Sequence, residues 1–188
     1  MDLDKAIKDR HSVRSFKKTK QADYKKIIDA MLAALKAPLA GNHPSVKLIL
    51  VTDKEKIKQL AEASQQGFVD DVDNLVVFCT DKKYLEKSYG ERGKMYARQQ
   101  AGAAIENFLL KLTDSGLASC WVGAFSDEAV RRILKVPDNI DIEAFFPVGY
   151  ELGKAKQLDK PDLDMCVFFD TFGNRFMKQR KIQDSSKV

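Results

Sequence analysis

Arg10, His11, Ser12 and Arg14 fall within five residues of one another, at the point where an amino-terminal helical pattern breaks. Two guanidiniums bring fork-shaped sets of donors suited to phosphate, a hydroxyl adds a short donor and acceptor, and an imidazole can donate or accept near neutral pH. Such a cluster suits an anion-binding site. It suits a solvated basic turn as well, so the rest of the chain has to decide.

The usual protein-borne catalytic sets are missing. No GxSxG, HExxH, P-loop or GxGxxG motif occurs, and with two histidines, His11 and His43, a His-rich metal site cannot be assembled; no metal is expected. Paired carboxylates are present, but no spacing singles out a pair for acid-base work. A chain poor in groups for difficult chemistry is most simply read as one that borrows its chemistry from a cofactor.

Composition bounds the partners. In 188 residues, 32 Lys and Arg stand against 27 Asp and Glu, a net charge of +5, with the basic residues scattered among acids. Scattered charge favours anionic small molecules over nucleic acid, and no zinc spacing, RNP-like aromatic motif or basic heptad supports a nucleic-acid partner. Cys79, Cys120 and Cys166 are far apart, odd in number and flanked by apolar residues, as core thiols of a reducing compartment would be. Charged residues follow Met1 at once, and no uncharged run approaches the roughly 20 residues of a membrane span. The expected location is the cytoplasm, with no membrane partner.

Those groups have to be positioned by alternating helices and strands. Apolar spacing predicts an amphipathic helix from Ala22 to Ala37, with Ile27, Ile28, Met31, Leu32 and Leu35 on one face. VKLILV (46–51), LVVFC (75–79), LASCWVG (117–123) and a segment ending in FFPVGY (145–150) read as strands, as does MCVFF (165–169). Asp53 suits the cap of a Lys-rich helix through Ala63, and Ser126 caps another that should stop before Pro137, with Phe125 and Val130 as its staple. The segment Arg92 to Ser115 predicts a central helix closed by Gly116. It is apolar over most of its circumference, which calls for cover on several sides, by dimerisation or by the chain itself. One domain is expected over 1–188, with 153–188 as an extended carboxy-terminal segment whose last residues, KIQDSSKV, read as disordered.

RHSVRSF, then APLAGNHP after the first long helix, then GLASCWVGAF after the central one, resemble in order and spacing the nitroreductase-like flavoproteins, from about Ala6 to Gly149. The resemblance implies an α+β fold, a mixed sheet flanked by helices, and an intertwined homodimer with FMN at both subunit interfaces. It implies that Arg10, Ser12 and Arg14, with His11 beside them, hold the flavin phosphate and ribityl chain. Asn42 would lie along the flavin, and Trp121, Val122 and Gly123 would bring their backbone near its reactive edge; an amide at Gln65 or Gln66 would face the pyrimidine ring. NADH or NADPH would supply hydride at flavin N5, and a nitroaromatic, quinone or similar planar acceptor would take it, with no protein catalytic nucleophile. Read without the resemblance, Asn42 is also a good turn residue and Trp121 a good core aromatic.

The chain departs from the family pattern at several places. Pro44-Ser45-Val46 replaces the frequent Gln-Pro-Trp, and Gln100 stands where an aspartate is common. Lys160, before Pro161, is the nearest match to a late phosphate-binding arginine. The chain also lacks room for the insertion that often covers the substrate cavity, so an open pocket is expected.

Overall fold

Alternation along one strand sets the layers. In β2 (Asn74–Asp81), Val76 and Phe78 join one apolar cluster while Leu75, Val77 and Cys79 join another, so both faces of the strand must be covered. The computed structural model describes residues 2–153 and 160–176. Clustering of the backbone separates a main unit, Met1–Ala155, from a smaller one, Lys156–Val188.

In the main unit β1 (Val46–Val51), β2, β4 (Ile140–Gly149) and β3 (Ala118–Ser119) form a four-stranded sheet in the order β1-β2-β4-β3. These pairs are all antiparallel, and a parallel bridge from Ser12 to Ser119 makes the sheet mixed at its β3 edge. On one face lie α2 (Tyr24–Ala34) and α5 (Glu91–Asp114), around Phe78, Phe108 and Phe146, whose rings meet edge to face at 5.2 to 5.7 Å. On the other lie α3 (Lys54–Ser64) and α6 (Asp127–Leu134), around Val77 and Phe145. The α+β expectation holds. Two shorter helices, α1 (Leu3–Asp9) and α4 (Lys83–Tyr89), pack against α5.

Local chemistry fixes the ends as anticipated. The Asp53 carboxylate accepts from the N–H groups of Glu55 and Lys56, and the Ser126 hydroxyl accepts from Ala129 N–H. At the end of α5, Gly116 takes φ +72°, with Leu117 N–H bonded to Leu112 O and Gly116 N–H to Thr113 O, the double bond pattern that a left-handed residue permits.

Three expectations are corrected and one open alternative is narrowed. The core face of α2 is Ile27, Ala30 and Ala34, while Leu32 and Leu35 are 54% and 53% exposed; the small alanines, not the leucines, meet α5. The central helix is covered mainly by its own chain, through α1, α2, α4 and the sheet, so its apolar girth does not by itself require a second copy. LASCWVG pairs as a strand only at Ala118–Ser119 and again at Val122. In the smaller unit, Leu163–Cys166 is a helical turn, α7, where MCVFF suggested a strand, and Cys166 is exposed. The described residues offer that apolar run no partner strand, and Met165 N–H turns back to Asp162 O. The terminal KIQDSSKV lies outside the described residues.

Gly93 marks the tightest approach in the helical layer: a Cβ there would overlap the Leu85 carbonyl and Glu86 N of α4. Since backbone cannot yield as a side-chain tip does, Gly93→Ala should cost about 1–3 kcal/mol, at roughly 2–4 °C of Tm per kcal/mol in a chain of this size. A thermal melt within 1 °C of the parent would disprove that packing.

Candidate functional site

RHSVRSF is held by its apolar members and shows its polar ones. Val13 and Phe16 are buried with Val72, while Ser12, Arg14 and Ser15 stay exposed between and beside them. Val13 N–H donates to Ser119 O (2.9 Å), Lys17 N–H to Tyr150 O (2.8 Å) and Leu152 N–H to Ser15 O (2.9 Å). The segment is therefore laid along the edge of the sheet, with Ser12 bridged to Ser119 and both Ser12 and Arg14 acting on Cys120. A Cβ on Gly149 would press on Phe16 and Val72, so the anchor is closely packed.

The charges in this segment are arranged. Arg10 caps α1 and its Nε lies 3.6 Å from Glu106 of α5, a half-exposed pair worth at most about 1 kcal/mol that, among the described residues, leaves the other guanidinium donors uncommitted. Among the described residues, the Arg14 guanidinium meets no hydrogen-bond or ion-pair partner. His11 Nδ1 is 2.7 Å from Asp9 O, and Nε2 is 3.1 Å from the Glu151 carboxylate. Both ring nitrogens face pure acceptors, so both need a proton, and the imidazolium is favoured. Its pKa is raised, chiefly by the Asp9 carbonyl and further by Glu151, against burial and the nearby Arg10. Arg10 and Arg14 with the Ser12 hydroxyl form a donor set suited to a phosphomonoester, and His11, its two ring N–H groups committed to Asp9 and Glu151, adds positive charge beside it.

Beside it the β3–β4 ladder is interrupted. Continuing the register of Ala118 with Gly149 and Ser119 with Val148 would set Cys120 opposite Pro147, which has no N–H to give. Pairing resumes at Val122, which exchanges both its hydrogen bonds with Phe145 (3.1 and 3.0 Å) and buries its side chain. Residues flanking such a pair turn their amides away from the partner strand. Trp121 and Gly123 N–H thus point outward, and among the described residues neither meets an acceptor. Trp121 is 44% exposed and rests edge to face on Phe146 at 5.6 Å. These features fit a planar, acceptor-bearing ring.

Cys120 lies behind this edge, 2% exposed. Burial raises its pKa, opposed by the Arg14 charge and a hydrogen bond with Ser12, so it remains a thiol at neutral pH. Ser126 N–H donates to Ala63 O (3.0 Å), tying the end of the Trp121 loop to the carboxy end of α3, where half-buried Gln66 follows.

Asn42 sits in a tight turn at φ +59°, after Gly41 at φ +55°, closed by His43 N–H to Ala40 O (3.1 Å). Tyr89 packs its hydroxyl against Gly41, leaving no space for a Cβ. No hydrogen bond links this turn to Arg10–Arg14 among the described residues. The α5 residues beneath the two places, Gln100 and Glu106, are six apart, which is about 9 Å along the axis and roughly a third of a turn around it. Lys160 is exposed and belongs to the smaller unit. Sequence reasoning missed Glu106 and Glu151, acids that orient cations from remote positions, and gave Gln100 no role. Their only signal is three-dimensional.

Comparison with known proteins identifies the class. The nitroreductase family model matches residues 7–73 and 62–150, and the chain belongs to that family. A relative from Archaeoglobus fulgidus, provisionally named an NADH dehydrogenase/NAD(P)H nitroreductase, is 32% identical over 78% of this chain and 83% of its own length. An iodotyrosine deiodinase from Thermotoga neapolitana is 26% identical over 88% of this chain and 96% of its own. An FMN-dependent nitroreductase from Clostridium difficile superposes with a TM-score of 0.75 at 26% identity, over 89% of this chain and 98% of that one.

An unfolded histidine titrates near 6.5, so with the folded pKa raised, the stabilisation from His11 is full below about that pH and is lost as pH climbs through the folded value. Glu151→Gln should move the His11 titration, followed by NMR of its ring carbon, to lower pH. An unshifted curve would rule out the pairing.

Proposed function

We propose that this protein is an FMN-dependent NAD(P)H oxidoreductase acting as a cytoplasmic homodimer. The observation that carries the reading is the Val13–Ser119 bond, which sets a cationic phosphate clamp beside the outward N–H groups of Trp121 and Gly123. Arg10, Arg14 and the Ser12 hydroxyl would bind the phosphate and the start of the ribityl chain, with the positive charge of His11 beside them. Trp121 and Gly123 N–H would donate to the ring edge and stabilise negative charge there, with Gln66 at the pyrimidine side. FMN, when bound, supplies hydride chemistry at N5, oxidising NADH or NADPH and then reducing a nitroaromatic, quinone or similar planar acceptor in ping-pong order. The chain's own work is to bind, orient and hold charge.

A second copy of the chain accounts for two further facts. Among the described residues no hydrogen bond links Asn42 to the arginine clamp, and Leu32 and Leu35 lie exposed on α2. In this reading the Asn42 turn joins the clamp of the other subunit, and 153–188 extends the single domain rather than forming another. Three free cysteines agree with a reducing compartment, and no described helix is long and apolar enough to cross a membrane. A redox-sensing module built on Cys120 is less well supported, because a buried, protonated thiol is a poor sensor. Reductive dehalogenation is the competing reaction, on the strength of the deiodinase relative.

Arg14→Ala should weaken FMN binding about 10- to 100-fold, the loss of one or two charge-assisted hydrogen bonds; an unchanged dissociation constant by flavin-fluorescence titration defeats the clamp. Anaerobic NADPH should bleach the yellow holoprotein within seconds, and menadione or a nitroaromatic should restore the colour. Faster reoxidation by an iodotyrosine than by either would transfer the assignment to dehalogenation.

A further inference from the structure

Gln100 is 4% exposed, and its amide fits the turn that carries Asn42. With its oxygen toward α-amide donors, Oε1 accepts from Ala40 N–H (2.9 Å), while the NH2 group donates to Ser45 Oγ (2.9 Å) and His43 O (3.2 Å). The reverse orientation would set carbonyl against carbonyl and amine against N–H, so the hydrogen bonding itself assigns the amide. In this orientation the carboxamide, with one acceptor oxygen and two donor hydrogens, meets Ala40 N–H, His43 O and the Ser45 hydroxyl, and gives up a 3.4 Å contact from Ser45 N–H.

The turn needs that support. Two consecutive residues at positive φ are tolerated by glycine and asparagine, but their short local bond, His43 N–H to Ala40 O, leaves Ala40 N–H and His43 O to the buried Gln100 side chain. Tyr89 holds Gly41 from the other side. The Asn42 side chain is left exposed, committed to no partner among the described residues.

We propose that Gln100 is a positioning residue for the flavin site: it touches no ligand, and it acts by fixing the Ala40–His43 turn so that Asn42 is presented to FMN. This rests on the flavin reading above. The donor half of the amide is what the site requires, since a carboxylate at this place would satisfy Ala40 N–H and repel the His43 carbonyl.

The test is a double-mutant cycle on the full chain, read as the FMN dissociation constant with the apoprotein Tm alongside. Gln100→Leu should weaken FMN about ten-fold when Asn42 is present, and less than about two-fold when it is introduced into Asn42→Gly, which keeps the turn's positive φ and removes the amide. A brace with no part in binding would lower Tm in both backgrounds and weaken FMN by the same factor in each; that result overturns the proposal. Gln100→Glu gives a second arm should the leucine variant fail to fold. Its affinity relative to the unaltered chain should recover between pH 8 and pH 5.5, as the carboxyl regains a proton to donate, and a ratio flat with pH overturns the proposal. An unaltered chain that binds no FMN removes the flavin reading itself, and this inference with it; normal binding with additive losses removes the inference alone.

Discussion

One backbone hydrogen bond, Val13 N–H to Ser119 O, governs how the candidate site is put together. Helix α1 ends at Arg10, and this bond is where the basic segment that follows first meets the sheet, ahead of Ser15 O to Leu152 and Lys17 N–H to Tyr150. With it, the segment becomes a partner of the sheet edge, and alternation does the rest: Val13 and Phe16 go in, Ser12 and Arg14 stay out. The site's cations are therefore set by the register of the sheet rather than by the course of a loop. Position comes first here, and charge acts through it.

Charge is then adjusted by groups far away in sequence. Glu106 reaches Arg10 from α5, and Glu151 reaches His11 from beyond β4. Neither acid neutralises the cluster, since both pairs are partly open to solvent and Arg14 keeps its charge unshared among the described residues. The cluster stays a net cation that can still accept an anion. A fully paired set would have been more stable and less able to bind.

Much of this was legible in the sequence, and unevenly so. The buried strand β2, the caps at Asp53 and Ser126 and the left-handed Gly116 were readable because each rests on a short-range rule: a short unbroken apolar run, an oxygen accepting from the first turn, a missing Cβ. The face of α2 was misread because leucines outrank alanines on any hydropathy scale, whereas close helix packing prefers the alanines. MCVFF was misread because a strand needs a neighbour, and composition says nothing of one. The site divides likewise. Arg10, Ser12 and Arg14 announce themselves by spacing, and the Trp121 segment by family likeness, but the outward amides of Trp121 and Gly123 follow from the Val122–Phe145 pair that only the folded sheet reveals.

Pro147 has an effect on the protein's neighbours. Sheet edges are templates, and a long run of unpaired amides invites a strand from any chain that drifts past. The β3 edge gives such a chain little to grip: two paired residues, a gap opposite Pro147, one more pair at Val122, and the amino-terminal segment laid across Ser119. The proline gap thus keeps this side of the sheet from growing.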